Sequence, residues 1–296
     1  MNKDKTILKT LLLGSFFASL SAMLGGSTFV FTRYVVDSID PFTLSFLRYG
    51  LTGLILFLLS ISVYMNKKFA KADLIPMCFL GLAMITLFPN FMALGLEHTT
   101  AARAGLLYAT MPLCTIIIAY FFNIEKITLN KSLAVLLAIL GVSFCMSERV
   151  DNNFQDTLKG DFLMMIGVLS ASCFTVFSGK YLKKYGNIPV MIFVILIGTI
   201  LNLIISMIFG NSIISLLEIN KFEAAALLML IIPGGVVMMY CWGKALQLIS
   251  PTQAAISLGF NPLTAILLGS IILNEEITFK AAIVPSPVLT KSLHII

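Results

Sequence analysis

The chain has 296 residues, 58% of them hydrophobic and only 11% charged, with a mean hydropathy of +0.99. A soluble domain carries roughly 25% charged residues, so this composition excludes a water-facing surface and makes lipid the main solvent. The formal charge of +6 does not point to nucleic acid, because the basic residues sit in short loops between apolar runs and form no patch.

Ten apolar segments are predicted to span a membrane, since about 20 residues of helix cover ~30 Å of hydrocarbon. They run Thr10–Phe31, Phe42–Tyr64, Leu74–Leu96, Ala104–Ile124, Leu133–Met146, Phe162–Phe177, Val190–Phe209, Ala224–Leu246, Ala254–Asn274 and Ala281–Leu293. A backbone in hydrocarbon must bond to itself, so these runs are expected to be helices; a barrel would show short alternating segments instead. The first run follows Met1–Lys9 and is read as an uncleaved span, not a signal peptide, because further spans follow. Ten helices leave no room for a soluble domain.

The fifth and sixth runs are short and the tenth is atypical. Between Lys280 and Lys291 lie ten residues that include Pro285 and Pro287, too few to span and twice deprived of a helix hydrogen bond. A re-entrant piece, a half-span and an altered ancestral helix are all compatible with that ending.

With the N-terminus in the cytoplasm, thirteen Lys residues fall in inner segments (3, 5, 9, 67, 68, 71, 126, 131, 180, 183, 184, 244 and 291). Six basic residues then fall outside: Arg33, Arg103, Arg149, Lys159, Lys221 and Lys280. This bias of about two to one predicts both termini inside, as expected for a bacterial cytoplasmic (inner) membrane protein. The five cysteines (Cys78, Cys114, Cys145, Cys173, Cys241) lie inside apolar runs without paired spacing. They read as buried small hydrophobes rather than disulfides or metal ligands.

Shifting the chain by 150 residues lays Leu96–Thr128 over Leu246–Thr278 without a gap. Eight of 33 positions are then identical, among them Pro112-Leu113 with Pro262-Leu263 and Glu125-x-Ile127-Thr128 with Glu275-x-Ile277-Thr278. A shift near 147 adds Thr28…Arg33-Tyr34 over Thr175…Lys180-Tyr181. Two related halves follow, residues 1–147 and 148–296, each with five spans. An odd number of spans inverts the second half in the membrane, which is the architecture of alternating access around a midplane site. Duplication for packing alone is the competing explanation.

Particular residues carry a family resemblance. Leu24-Gly25-Gly26-Ser27-Thr28-Phe29-Val30 resembles the first-helix motif of the EamA family of the drug/metabolite transporter superfamily, which usually has tryptophan at the place of Gly25. Pro41 and Arg48 resemble its second helix. Thr99 through Pro112-Leu113 to Glu125-Lys126-Ile127-Thr128, with its counterpart Pro251 through Asn261-Pro262-Leu263 to Glu275-Glu276-Ile277-Thr278, is the strongest match. The resemblance extends to about Ile283 and implies ten helices and the export or exchange of small metabolites such as amino acids, drugs and other polar compounds.

Arg48 is the one charge well inside a span. It either contacts an anionic substrate group or makes a structural interhelix bond, and the second is preferred. Pro112 and Pro262 are expected hinges at equivalent places in the two halves. Asn90, Tyr108, Tyr240, Trp242, Gln247 and Asn261 are the candidate cavity lining, each alternatively a packing residue. Glu97 and His98 form an exposed outer pair, with proton coupling as the alternative. Glu125 and Glu275 read as solvated helix ends or partners of Lys126 and Lys280.

A secondary transporter of a small polar or amphipathic metabolite follows, without cofactor or metal. Coupling to H+ or to substrate exchange is expected, since no G-x-x-x-x-G-K-[ST] phosphate loop occurs. The lipid bilayer and the small molecule are the partners. A channel, a non-transporting scaffold and a degenerate transporter are the alternatives. An intramembrane enzyme would need paired acids or a metal cluster at membrane depth, and the sequence offers neither.

Overall fold

A computed structural model describes residues 2–125, 154–210 and 219–275. Among them there is no strand, and eight helices are long and apolar enough to cross a membrane. They are α1 (Leu8–Val35), α2 (Pro41–Met65), α3 (Lys71–Leu96), α4 (Ala101–Phe121), α5 (Asp156–Tyr185), α6 (Asn187–Phe209), α7 (Lys221–Leu248) and α8 (Pro251–Ile272). The expected fifth and tenth spans, Leu133–Met146 and Ala281–Leu293, lie outside the described residues.

The distribution of side chains matches a lipid solvent. Leu59, Phe79, Met207 and Ile271 are among the most exposed large apolar residues, while Arg48, Thr52, Thr86 and Asn202 are buried. Polar groups therefore face the protein interior, where they can pair, and hydrocarbon faces the bilayer. The chain is an integral membrane protein.

Local signals set the helix starts. Asp40 accepts from the N–H groups of Phe42 and Thr43 (3.1 and 3.0 Å) with Pro41 as the first helical residue of α2. Asn220 and Glu223 form a capping box at α7, as do Ser250 and Gln253 at α8. Each satisfies N–H groups that the first turn leaves unpaired. Helix α5 is longer at both ends than the Phe162–Phe177 run. Its extra turns carry Asp161 and Lys180, charges that end an apolar count; Asp161 is buried and paired and Lys180 lies over the Tyr181 ring at 4.7 Å.

Helix α2 is kinked at Ser60, and four other helices carry interruptions that fall in pairs. Helix α3 contains a π segment, Leu82–Leu87, and α7 contains another, Ile232–Val237, displaced by 150 residues. Helix α4 breaks after Tyr108 and resumes at Met111 with Pro112 in its first turn. Helix α8 passes through a tight 3-10 turn, Ser257–Gly259, and resumes at Phe260 with Asn261 and Pro262 following. Proline supplies no N–H, so it frees a carbonyl one turn earlier. Both expected hinge prolines thus sit beside real helix breaks.

The π segments are stitched to neighbouring helices by side-chain hydrogen bonds. Asn202 of α6 donates to the Ile85 carbonyl (2.8 Å) and Thr86 donates to the Gly198 carbonyl (3.2 Å). On the other side Arg48 Nη2 donates to the Gly234 carbonyl (2.9 Å) and Thr52 to the Ile231 carbonyl (3.2 Å). Thr52 and Asn202 are themselves 150 residues apart. Glycine is required at 235, where a Cβ would lie 2.1 Å from Thr52 Oγ1.

Candidate functional site

Five of these helices meet at a central cavity. Its walls are Ser21, Gly25, Thr28 and Phe29 from α1, Met84 and Phe88 from α3, and Tyr108 from α4. Met238, Met239 and Trp242 come from α7, and Leu258 and Asn261 from α8. The free volume is about 20 Å³, space for roughly one water. Two pairs of wall residues, Phe88 with Met238 and Tyr108 with Leu258, are related by the 150-residue shift. The cavity therefore lies where equivalent parts of α3 and α7, and of α4 and α8, face each other.

Its chemistry is apolar with a few oriented dipoles. Phe29 and Phe88 ring centroids stand 5.5 and 5.3 Å from that of Tyr108, an edge-on and a tilted contact typical of aromatic clusters. Ser21 donates to the Met238 carbonyl (3.0 Å) and Thr28 to the Gly25 carbonyl (2.7 Å). Trp242 Nε1 and Asn261 Oδ1 are buried without a hydrogen-bond partner among the described residues. A Cβ at Gly25 would approach the Asn261 amide at 3.2 Å, so residue 25 faces the cavity.

The candidate lining residues divide into two groups. Tyr108, Trp242 and Asn261 are on the wall; Asn90, Tyr240, Gln247 and Arg48 are not. Asn90 donates to the Thr86 carbonyl (2.8 Å) and to Asn202 Oδ1 (2.9 Å), tying α3 to α6. Tyr240 is 37% exposed and packs edge-on against Phe17. Gln247 accepts from Lys244 (3.0 Å) and donates to the Leu182 carbonyl (3.2 Å). Arg48 is fully inside and makes the interhelix bond described above, with its guanidinium 4.9 Å from the Tyr49 ring centroid. Polarity in an apolar run marks interhelix bonding as readily as cavity lining, and these four serve contacts between or within helices.

Residues at the two ends complete the picture. Where α1 finishes, here called the far end, Glu275 accepts from the N–H groups of Ala101 and Ala102 at the start of α4 (3.0 and 3.3 Å). At the opposite, near end, Glu125 accepts from the N–H of Thr252 at the start of α8 (3.1 Å). Each repeated glutamate thus caps the interrupted helix of the other half, which also shows that α4 and α8 run antiparallel. The expected lysine partners, Lys126 and Lys280, lie outside the described residues. Asn123 and Asn274 turn the chain into these glutamates with φ of 53° each, a conformation asparagine tolerates.

The far end also holds an ion pair that sequence reading missed. Arg103 grips Asp161 through Nε (2.9 and 3.1 Å) and Nη2 (2.6 Å), with both side chains about nine-tenths buried. Above it opens a polar vestibule of about 540 Å³, walled by Arg33, Asp37, Glu97, His98, Thr100 and Glu275 among others. Partial burial, with Asp37 and Asp40 adding to it, holds the Glu97 carboxyl above its usual range, against the pull of His98 and Lys159.

The EamA-like transporter family profile matches residues 12–147 and 158–289. The chain belongs to the EamA-like transporter family. An uncharacterized transporter of Archaeoglobus fulgidus is 27% identical over 90% of this chain and 91% of its own length. Two more relatives are each 24% identical: the uncharacterized transporter YoaV of Bacillus subtilis, covering 87% and 88% of the two chains, and the uncharacterized inner membrane transporter YedA of Escherichia coli, covering 88% and 82%. A protein known by its crystal structure superposes with a TM-score of 0.73 over 96% of this chain and 95% of its own, at 16% identity, which establishes the shared fold. The two-repeat EamA fold accommodates the paired interruptions. Members of the family are named as transporters.

Proposed function

We propose that this EamA-family protein is a secondary transporter that exports or exchanges a small polar or amphipathic metabolite by alternating access around the central cavity. Two inverted repeats, residues 1–147 and 148–296, rock about paired breaks at Pro112 and Pro262. The N-terminus lies in the cytoplasm of a bacterial inner membrane. The observation that carries this reading is the matched pairing of cavity walls and interruptions across the 150-residue shift. Such pairing lets one chain adopt two states of nearly the same shape with its halves exchanged.

Tyr108, Trp242 and Asn261 are the substrate-facing residues in this reading. Amino acids and their analogues form the first panel to try, with protons or a counter-substrate as the driving force. Purified protein in liposomes should show saturable counterflow of a labelled panel member, and Pro112→Ala and Pro262→Ala should each slow it. Flux without saturation or counterflow would make the protein a channel instead. Correctly inserted protein with no flux for any panel member would favour a scaffold or a degenerate transporter.

A further inference from the structure

We infer that the cavity takes an uncharged molecule with an aromatic or branched apolar body and one edge that both accepts and donates a hydrogen bond, as a primary carboxamide does. This rests on the transporter reading and narrows its substrate class to uncharged analogues, which sets free amino acids, with their two charges, against it. None of the twelve lining residues is charged. The guanidinium of Arg48 stands behind the wall beside Thr28, where Nη2 is bonded to the Gly234 carbonyl and the group lies over the Tyr49 ring. A carboxylate or an ammonium entering this space would lose its water and find no opposite charge among the lining side chains.

The walls also make two specific demands. Trp242 is 3% exposed and Asn261 1% exposed, yet Trp242 Nε1 and Asn261 Oδ1 have no partner among the described residues. An indole N–H can only donate and an amide oxygen can only accept. A ligand that satisfies both must therefore accept from one and donate to the other. Most of the remaining surface is Phe29, Phe88, Tyr108 and three thioethers, Met84, Met238 and Met239, completed by Ser21, Gly25, Thr28 and Leu258. Aromatic faces suit a flat ring, and methionine adapts its shape as the cavity widens from its present volume.

The test uses the only tryptophan in the chain as its own reporter. Full-length protein is titrated with 2-phenylacetamide, phenylacetate, phenethylamine and ethylbenzene while Trp242 emission is followed. These four probes share one body and differ in head group. The amide should shift the emission saturably and bind at least about tenfold more tightly than each of the others, because only the amide fills both unpaired positions. Asn261→Leu should cost about tenfold in amide affinity, and Asn261→Asp should turn the preference towards phenethylamine, a gain that misfolding cannot imitate. Phenylacetate or phenethylamine binding as tightly as the amide to the unaltered protein would overturn the inference. So would monodisperse protein that responds to none of the four.

Binding and transport are read separately. Amide binding without counterflow in liposomes would retire the transporter reading and leave the site's chemistry standing. Saturable counterflow of charged substrates, with Trp242 silent, would do the reverse.

Discussion

The far and near ends of the bundle are closed by the same device set in different surroundings. At both, a glutamate from one half caps the interrupted helix of the other. Glu275 reaches two N–H groups at the far end, and Glu125 is bonded to the Thr252 N–H at the near end. A carboxylate at a helix N-terminus contributes about 0.3–1 kcal/mol when exposed and up to ~2 kcal/mol when partly buried. The larger contrast lies beside the caps. The far end adds the buried, bidentate Arg103–Asp161 pair. The near end adds Lys184–Asp73 at 2.6 Å, with the lysine 55% exposed, a contact that water and salt largely screen. In the alternating-access proposal a repeated motif sets the symmetry of the two gates, and unrepeated neighbours set which gate is harder to open.

The largest expected effect follows from the buried pair. Asp161→Asn leaves Arg103 desolvated beside a neutral partner, which costs about 3–5 kcal/mol in comparable cases. A cysteine placed at Thr99, on the vestibule wall, should then react with a membrane-impermeant thiol reagent at least about tenfold faster than in the Asp161 background. Thermal stability in detergent should fall as well. Unchanged labelling and stability would mean that the pair does not hold the far end shut, and the contrast between the ends would collapse.

The caps come next. Glu275→Gln removes the charge facing the helix dipole, and we expect a loss of roughly 1–2 kcal/mol from the far-closed state. Glu125→Gln should cost less at its cap, about 0.5–1 kcal/mol, and act on the near end instead, because Pro251 stands where Ala101 does and offers no N–H to accept from. Labelling of single cysteines near each end, compared in the two variants, separates them. If Glu125→Gln has the greater effect, the ranking of the gates is reversed.

Sequence reasoning reaches the caps only halfway. It finds Glu125 and Glu275 because the motif repeats, but offers only chain neighbours as partners. The true partners, Thr252 and the Ala101–Ala102 pair, lie 127 and 173–174 residues away. Arg103 presents the same difficulty. A charge after Thr99-Thr100-Ala101-Ala102 reads as a loop residue, whereas its mate Asp161 stands 58 residues on. The π segments leave no local signature beyond Pro89 and Pro233. Extending the 150-residue comparison to Thr52 and Asn202, however, would have exposed the side chains that stitch them. What the sequence does disclose is periodic or repeated: the described spans, the two prolines beside the helix breaks, and three of the cavity's polar or aromatic wall residues. Contacts between distant helices depend on packing that no single stretch encodes.

The smallest effect should come from the near-end ion pair, and its smallness is itself informative. Lys184 hydrogen-bonds Asp73, whose carboxylate also accepts from the Tyr185 hydroxyl, and that hydroxyl in turn accepts from the Ala70 N–H (3.1 Å). Tyr185, in edge-on contact with Phe69 at 5.0 Å between ring centroids, can hold this corner without the lysine. Lys184→Ala should therefore leave the melting temperature and near-end labelling close to those of the unaltered protein, at low and at high salt alike. Tyr185→Phe keeps the ring and removes only the hydroxyl, so it should disturb the corner more than the loss of a whole charged side chain. If Lys184→Ala instead opened the near end in a salt-dependent way, exposed charge would be closing that gate. The asymmetry between the ends would then be one of ionic conditions rather than of burial.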